Sequence, residues 1–409
     1  MNPFFSMMSN DNFAMKQSFR FMSSAISVSR EMTENWWFAL KEFSQSPQSF
    51  ARRNFDYWQE VLRPPEAEWQ TNYQEIRLPE QFAKIARLLD FSGLRVVAGE
   101  IIPTLILPPQ AGHHSYIADY SPEQSQVKML RENGLGEIYC LEWLPATQET
   151  KHTTIEDYIE AVHHCIGALG GKANLIGDCQ GGWLAAIFTA LYPEMVNTLT
   201  VAGAPVDYQA GDGQIKEAVN YNAQLFPDGG MAFYRALVAM GNGVLDGRFM
   251  VTGFNVMKPG QTSLRYLKLY RDIHDSEQLE RFREMKNWYD FTQNIAGDFY
   301  LWIVQHLFRD NELVLGKLMV EGRLVDLHTI TCPLFLVGGV RDHVTPPEQV
   351  FAMRQFVGTQ PSQIHEYLVD AGHIGLFMGK NVLTETWSVI GQTIERYSNL
   401  NMEYYRTSR

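Results

Sequence analysis

Ala173-Asn174-Leu175-Ile176-Gly177-Asp178-Cys179-Gln180-Gly181-Gly182-Trp183-Leu184-Ala185-Ala186-Ile187-Phe188 is the stretch on which the fold turns. A short apolar run reads as a strand, glycines punctuate it, and an apolar helical run follows at once. Inside it, Gly177-Asp178-Cys179-Gln180-Gly181 has the form G-x-C-x-G, a nucleophile elbow with sulfur in place of oxygen. A strand that turns directly into a helix strains the backbone of its central residue. A Cβ two positions before or after would collide with neighbouring backbone, so glycine is needed there. Such a turn sets the Cys179 sulfur at a helix N-terminus, where the dipole and the free N–H groups stabilise a thiolate. It also places the Gln180 N–H to hold an oxyanion. The bland alternative is a buried structural cysteine.

Working outward, Val96–Ile101, Thr104–Leu107, Glu137–Trp143, Thr198–Gly203, Leu334–Gly338 and Glu366–Val369 also read as strands. Pro108-Pro109 ends the second of these, because proline cannot continue a ladder. Helical patterns over Glu123–Asn133 and Thr153–Leu169 lie between, the latter with Thr153 or Thr154 as N-cap and Gly170-Gly171 as its stop. Alternation with short connections predicts an α/β fold, a mostly parallel sheet with helices on both faces. From about Tyr208 to Leu327 only helical patterns and loops occur. An insertion at that point sits above the carboxyl ends of the strands, and is expected to be a helical cap over the site. The expected division is therefore an N-terminal helical segment over 1–93, a core over 94–207 and 328–409, and a cap over 208–327.

An elbow nucleophile needs an acid and then a histidine later in the chain. Gly339-Val340-Arg341-Asp342-His343 puts a carboxylate, Asp342, just past a strand end; its bland reading is a turn cap. Asp370-Ala371-Gly372-His373 places His373 in the loop beyond the last strand, from which it can draw a proton from Cys179. His343 is a neighbour of the acid at most. His163 and His164 read as packing or surface residues, and His113 and His114 as a polar pair in the loop after Pro108-Pro109. Cys140, Cys165 and Cys332 fall in or beside apolar elements and read as buried and inert.

The whole chain has 409 residues, 45% hydrophobic and 20% charged, and 34 basic against 46 acidic side chains give a net charge of −12. No basic block exists for a nucleic acid to use. Four cysteines without CxxC spacing argue against a disulfide framework and against zinc, and no cofactor motif is present. The N-terminus lacks a secretory pattern and no run reaches the ~18 apolar residues of a membrane span, so a cytoplasmic protein with reduced thiols is expected. Met1 to Arg63 is rich in Phe, Met and Trp at helical spacing. It reads as a helical layer packed on the core, or as a surface for a partner helix, a dimer mate or an apolar particle.

In order along the chain, Thr104-Leu105-Ile106-Leu107-Pro108-Pro109, Tyr116-Ile117-Ala118-Asp119-Tyr120, the elbow, Phe299-Tyr300-Leu301-Trp302, Arg341-Asp342-His343-Val344 and Gly372-His373-Ile374-Gly375 resemble the polyhydroxyalkanoate synthases. These are cysteine members of the α/β-hydrolase superfamily. The resemblance implies an α/β-hydrolase fold and an acyltransferase that polymerises 3-hydroxyacyl-CoA thioesters through Cys179, Asp342 and His373. It implies an oxyanion hole from Gln180 and from Gln110, which stands in the loop after Pro108-Pro109. It also implies a polyester granule as the place of action, with a second copy or a partner subunit as further company. An intracellular polyester depolymerase or thioesterase would use the same three residues. A scaffold that keeps the fold without chemistry is the third reading.

Overall fold

The computed structural model describes residues 3–93 and 102–407, so the strand expected over 96–101 lies outside the described residues. The chain divides into two compact units, one formed by the residues up to Ala67 with Arg248–Thr292, the other by Glu68–Gly247 with Gln293–Arg409.

The larger unit is built on eight strands: β1 (Gln74–Ile76), β2 (Ala86–Asp90), β3 (Thr104–Leu107), β4 (Ile138–Trp143), β5 (Ala173–Asp178), β6 (Val196–Ala202), β7 (Leu334–Gly339) and β8 (Ile364–Val369). Their order across the sheet is β1-β2-β4-β3-β5-β6-β7-β8. β2 runs antiparallel to β1 and β4, and every pairing from β4 onward is parallel. This is the α/β-hydrolase arrangement, with β3 inserted between β4 and β5 and the elbow directly after β5. Strands β3, β5 and β6 are buried along their whole length, as expected where helices cover both faces. At the end of the sheet away from the elbow, a buried polar cluster fixes the register of three strands. The Asn174 amide donates to the Ile102 carbonyl, the Thr104 hydroxyl and the Ser398 hydroxyl at 3.1–3.3 Å, while its oxygen accepts from Asn197 at 2.8 Å and Thr198 at 3.0 Å.

The helix Ile155–Ala168 starts at a capping box, with the Thr154 N–H donating to the Asp157 carboxylate at 2.7 Å. The segment expected to be helical as far as residue 93 instead contributes β1 and β2 to the sheet. β1 is a three-residue edge strand carrying Glu75, and β2 beside it is only five residues long with Arg87 among them, so neither shows an apolar alternation. The insertion is helical, but small ladders pair Val244–Leu245 with Ile295–Ala296 and Met319–Val320 with Arg323–Leu324. Two-residue ladders are too short to leave a period in the sequence.

The smaller unit joins the helices Pro3–Gln45 and Pro47–Leu62 to Gln261–Asp272 and Ser276–Tyr289. Thus part of the expected cap packs with the N-terminal helices. Its core gathers Leu269, Ile273 and Phe282 with Tyr57, Val61, Tyr266 and Leu279. Ion pairs tie the same helices at their rims: Arg53 to Glu42 at 2.8 Å, Arg271 to Glu31 and Glu34, and Arg283 to Glu60. None of the described helices is long and apolar enough to cross a membrane.

Candidate active site

Cys179 sits between β5 and the helix Gln180–Leu191 with φ 50° and ψ −116°, a backbone that a side-chain-bearing residue rarely adopts. The glycines around it are required by contact. A Cβ on Gly177 would fall 2.3 Å from the Gly181 carbonyl oxygen, and one on Gly181 would fall 1.8 Å from the Leu107 carbonyl oxygen. One on Gly182 would fall 2.5 Å from the Ala204 Cβ. The elbow is thus wedged against the end of β3 on one side and the end of β6 on the other.

The other two side chains arrive from loops at the same end of the sheet. His373 Nε2 lies 3.2 Å from the Cys179 sulfur, and His373 Nδ1 lies 2.7 Å from Asp342 Oδ2. Asp342 is buried, and its Oδ1 accepts the backbone N–H groups of Val344 and Thr345, each at 2.9 Å. Its turn is tied to the histidine loop by the Arg341 N–H on the Ala371 carbonyl at 3.0 Å. The His373 ring stands edge-on to Phe377, 5.5 Å between centroids. Burial pulls the imidazole pKa down. The Asp342 carboxylate, the Cys179 sulfur and the hydrogen bonds to both outweigh this, and hold it well above its ordinary value.

Gln180 is the first residue of its helix, so its N–H has no partner within the helix. In the loop after β3, Pro108 and Pro109 have no N–H to give, and Gln110 is the first residue that does. Trp143, at the end of β4, holds that loop by donating its indole N–H to the Pro108 carbonyl at 2.8 Å. Gln110 and Gln180 line a tight crevice with Trp143, Trp183 and Phe299, too narrow in this conformation to admit a water molecule. Gln110 Nε2, Gln180 Oε1 and Trp183 Nε1 are buried there without hydrogen-bond partners. Reading the sequence did not single out Trp143 or Trp183 for the site.

Next to the nucleophile, Asp178 is fully buried and accepts one bond, from the Gln126 amide at 3.2 Å. Burial pushes its pKa up to about 7, against a smaller opposing effect of Gln126. The remaining histidines stand apart. His114 accepts the Tyr116 N–H at Nδ1 and so donates from Nε2 to Glu142 at 3.0 Å, a bond that ties the loop to β4. His163 packs on Tyr192 and His164 on Phe82, while His343 is exposed. Burial pushes the Cys165 and Cys332 thiols up to about 12 and holds that of Cys140 well above its ordinary value.

A family model described as "Protein of unknown function (DUF3141)" matches residues 77–408, from just after β1 through the last helix. The chain belongs to that family. This DUF3141 chain is also similar to curated relatives named Poly(3-hydroxyalkanoate) polymerase subunit PhaC. The one from Haloferax mediterranei is 27% identical over 286 residues, 67% of this chain and 55% of the relative. The one from Synechocystis sp. is 28% identical over 298 residues, 69% of this chain and 74% of the relative. The DUF3141 chain spans 55% and 60% of the length of the relatives from Haloferax mediterranei and Haloarcula marismortui. An uncharacterised protein of Rhizobium meliloti is 28% identical over 73% of this chain. Among solved structures, a monoacylglycerol lipase from Paleococcus ferrophilus aligns with a TM-score of 0.47 at 16% identity, over 73% of this chain and 96% of that one. The resemblance read from the motifs therefore holds over about two thirds of the DUF3141 chain.

Proposed function

We propose that this chain is a cysteine acyltransferase that extends a polyester from 3-hydroxyacyl-CoA thioesters, with Cys179 as nucleophile, His373 as base and acid, and Asp342 as its orienting partner. The observation that carries the reading is the unbroken chain from sulfur to imidazole to carboxylate, 3.2 Å and 2.7 Å, at a strained elbow. Similarity to PhaC relatives supplies the substrate class.

In the proposed sequence His373 takes the Cys179 proton, and the thiolate attacks the thioester carbonyl carbon. The Gln180 and Gln110 N–H groups hold the resulting oxyanion. The carbon–sulfur bond to CoA then breaks, and CoA leaves with the proton from His373. The 3-hydroxyl of the next unit attacks the acyl-enzyme and gives its proton to His373. An ester bond forms and the sulfur is released. Water could replace that hydroxyl, so the outcome depends on keeping water out. The apolar wall of Trp143, Trp183 and Phe299 serves that end. A reduced nucleophile and a CoA substrate fit a cytoplasmic protein.

The test is to incubate the purified full chain with 3-hydroxybutyryl-CoA and follow CoA and product. Free CoA with insoluble polymer is expected. Free CoA with soluble 3-hydroxybutyrate would replace transfer by hydrolysis, and absence of both CoA release and acylated Cys179 would overturn an enzymatic role.

A further inference from the structure

On one side of Cys179 stand Gln180 and the loop after β3. On its other side the elbow is bonded to the end of β6, with the Cys179 N–H donating to the Ala202 carbonyl at 2.8 Å. The chain leaving β6 passes the imidazole, since a Cβ on Gly203 would fall 3.5 Å from His373 Cε1. It then reaches Tyr208, which is fastened everywhere but at its hydroxyl. The Tyr208 N–H donates to Asn311 Oδ1 at 3.0 Å, and its carbonyl accepts from Gln349 Nε2 at 2.9 Å; both amides belong to buried residues. Asn311 is steadied by donating to Asp207 Oδ1 at 2.9 Å, and the Val206 and Asp207 N–H groups each donate to the Gln349 carbonyl at 3.1 Å. The Tyr208 ring lies flat on Phe308, with 4.4 Å between centroids and 9° between planes.

The hydroxyl is the exception. Tyr208 is 1% exposed, and its phenol oxygen has no hydrogen-bond partner among the described residues. Tyr234 nearby, by contrast, accepts the Asn222 amide at 3.1 Å. Phenylalanine would fill the same space on Phe308 without leaving a buried polar atom unpaired, so the hydroxyl calls for a partner that arrives with substrate. Burial, together with Tyr234, Tyr300 and the Cys179 sulfur, pushes the phenol pKa well up, so it keeps its proton and meets that partner as a donor. The side of approach says which oxygen this is. The carbonyl oxygen of an acyl group on Cys179 belongs with the Gln180 and Gln110 N–H groups, on the β3 side. Tyr208 arrives on the β6 side, where the histidine loop also lies. The group that attacks from there is the alcohol that gives its proton to His373 Nε2. On the acyl-transfer reading above, which this site presupposes, we propose that Tyr208 holds the acceptor: its phenol donates to the 3-hydroxyl oxygen of the incoming unit while that hydroxyl's proton faces His373. In the step it serves, the hydroxyl oxygen bonds to the acyl carbon, its proton passes to His373 and the carbon–sulfur bond to Cys179 breaks. Tyr208 keeps its own proton throughout. The buried rings of Phe308, Tyr234 and Tyr300 around it favour an acceptor with a carbon chain over water.

Tyr208→Phe deletes the hydroxyl and keeps the ring stack, and far-UV circular dichroism checks its fold. Butyryl-CoA with methyl 3-hydroxybutyrate separates the two half-reactions, because butyryl-CoA gives an acyl group but has no hydroxyl to receive one. With butyryl-CoA alone, both full chains are expected to release CoA in the same initial burst as Cys179 is acylated. Methyl 3-hydroxybutyrate should then speed wild-type turnover and yield methyl 3-butyryloxybutyrate. The variant should need about tenfold more of this acceptor for half-maximal speed, and should lose a larger share of the acyl group to water. Equal dependence on the acceptor in the two chains overturns the site and leaves acyl transfer standing. A burst slowed as much as the transfer overturns it too, since the hydroxyl would then serve packing or acylation. A wild type that shows no burst, or that acylates Cys179 and passes the group only to water, overturns acyl transfer and the acceptor site together.

Discussion

Asp342 touches His373 at Nδ1, 2.7 Å away, on the side of the ring opposite the Cys179 sulfur. The carboxylate therefore fixes which nitrogen faces the nucleophile and also favours the protonated ring. Its own position is set by two backbone N–H groups, so the imidazole has little freedom to turn.

Replacing Asp342 by Asn keeps the shape and removes the charge. His373, held well above its ordinary pKa largely by that charge, should titrate lower. Alkylation of Cys179 by iodoacetamide at pH 6 is expected to slow about tenfold or more, since one pKa unit is a factor of ten. An unchanged rate–pH profile would mean that Asp342 does not act on the pair.

His373 also links stability to pH. Its folded pKa is raised, so the stability it contributes is fully present below the unfolded value near 6.5 and is lost as pH rises through the folded value. Asp178 acts in the same direction for a different reason. Its carboxyl prefers the neutral form when buried, so stability falls as pH rises from the unfolded value of 3.8 to about 7. Asp178→Asn should therefore raise the Tm at pH 8 and change it little at pH 4.5. A scan in which the variant is equally stable at both would remove Asp178 from the account.

Trp183 Nε1, Gln110 Nε2 and Gln180 Oε1 are buried without a protein partner along one narrow crevice. Trp183→Phe deletes one such donor and leaves no orphan behind, so the Tm should hold within a few degrees. If the donor meets the acyl chain's hydroxyl, KM for 3-hydroxybutyryl-CoA should rise about tenfold while KM for butyryl-CoA stays put. Equal effects on both thioesters would assign the indole to packing.

Asn174 ties three strands and the C-terminal helix through one amide. Asn174→Leu should cost about 2–4 kcal/mol, because it removes the buried oxygen that accepts from the Asn197 amide and the Thr198 hydroxyl. Urea unfolding measures this, and a loss under ~1 kcal/mol would show the cluster to be replaceable.

The meeting of Cys179, Asp342 and His373 was legible because each lies just past an apolar run that ends a parallel strand, and parallel strands end on one side of a sheet. β1 and β2 were not, because strands of three and five residues that include Glu75 and Arg87 carry no clean period. Nor was the clamp of Trp143 on Pro108: one side-chain bond across 35 residues leaves no pattern to find. The pairing of 248–292 with the N-terminal helices was equally hidden, since an amphipathic face looks the same whichever helix covers it.

That pairing has a consequence for synthesis. The helices Pro3–Gln45 and Pro47–Leu62 leave the ribosome some 210 residues (272 − 62) ahead of the end of Gln261–Asp272, which they pack against. At ~5–20 residues per second this is a wait of about 10 to 40 s with Phe38, Tyr57 and Val61 uncovered. Nascent chains of this protein should therefore lean on chaperones at these two helices until the segment that covers them has been made.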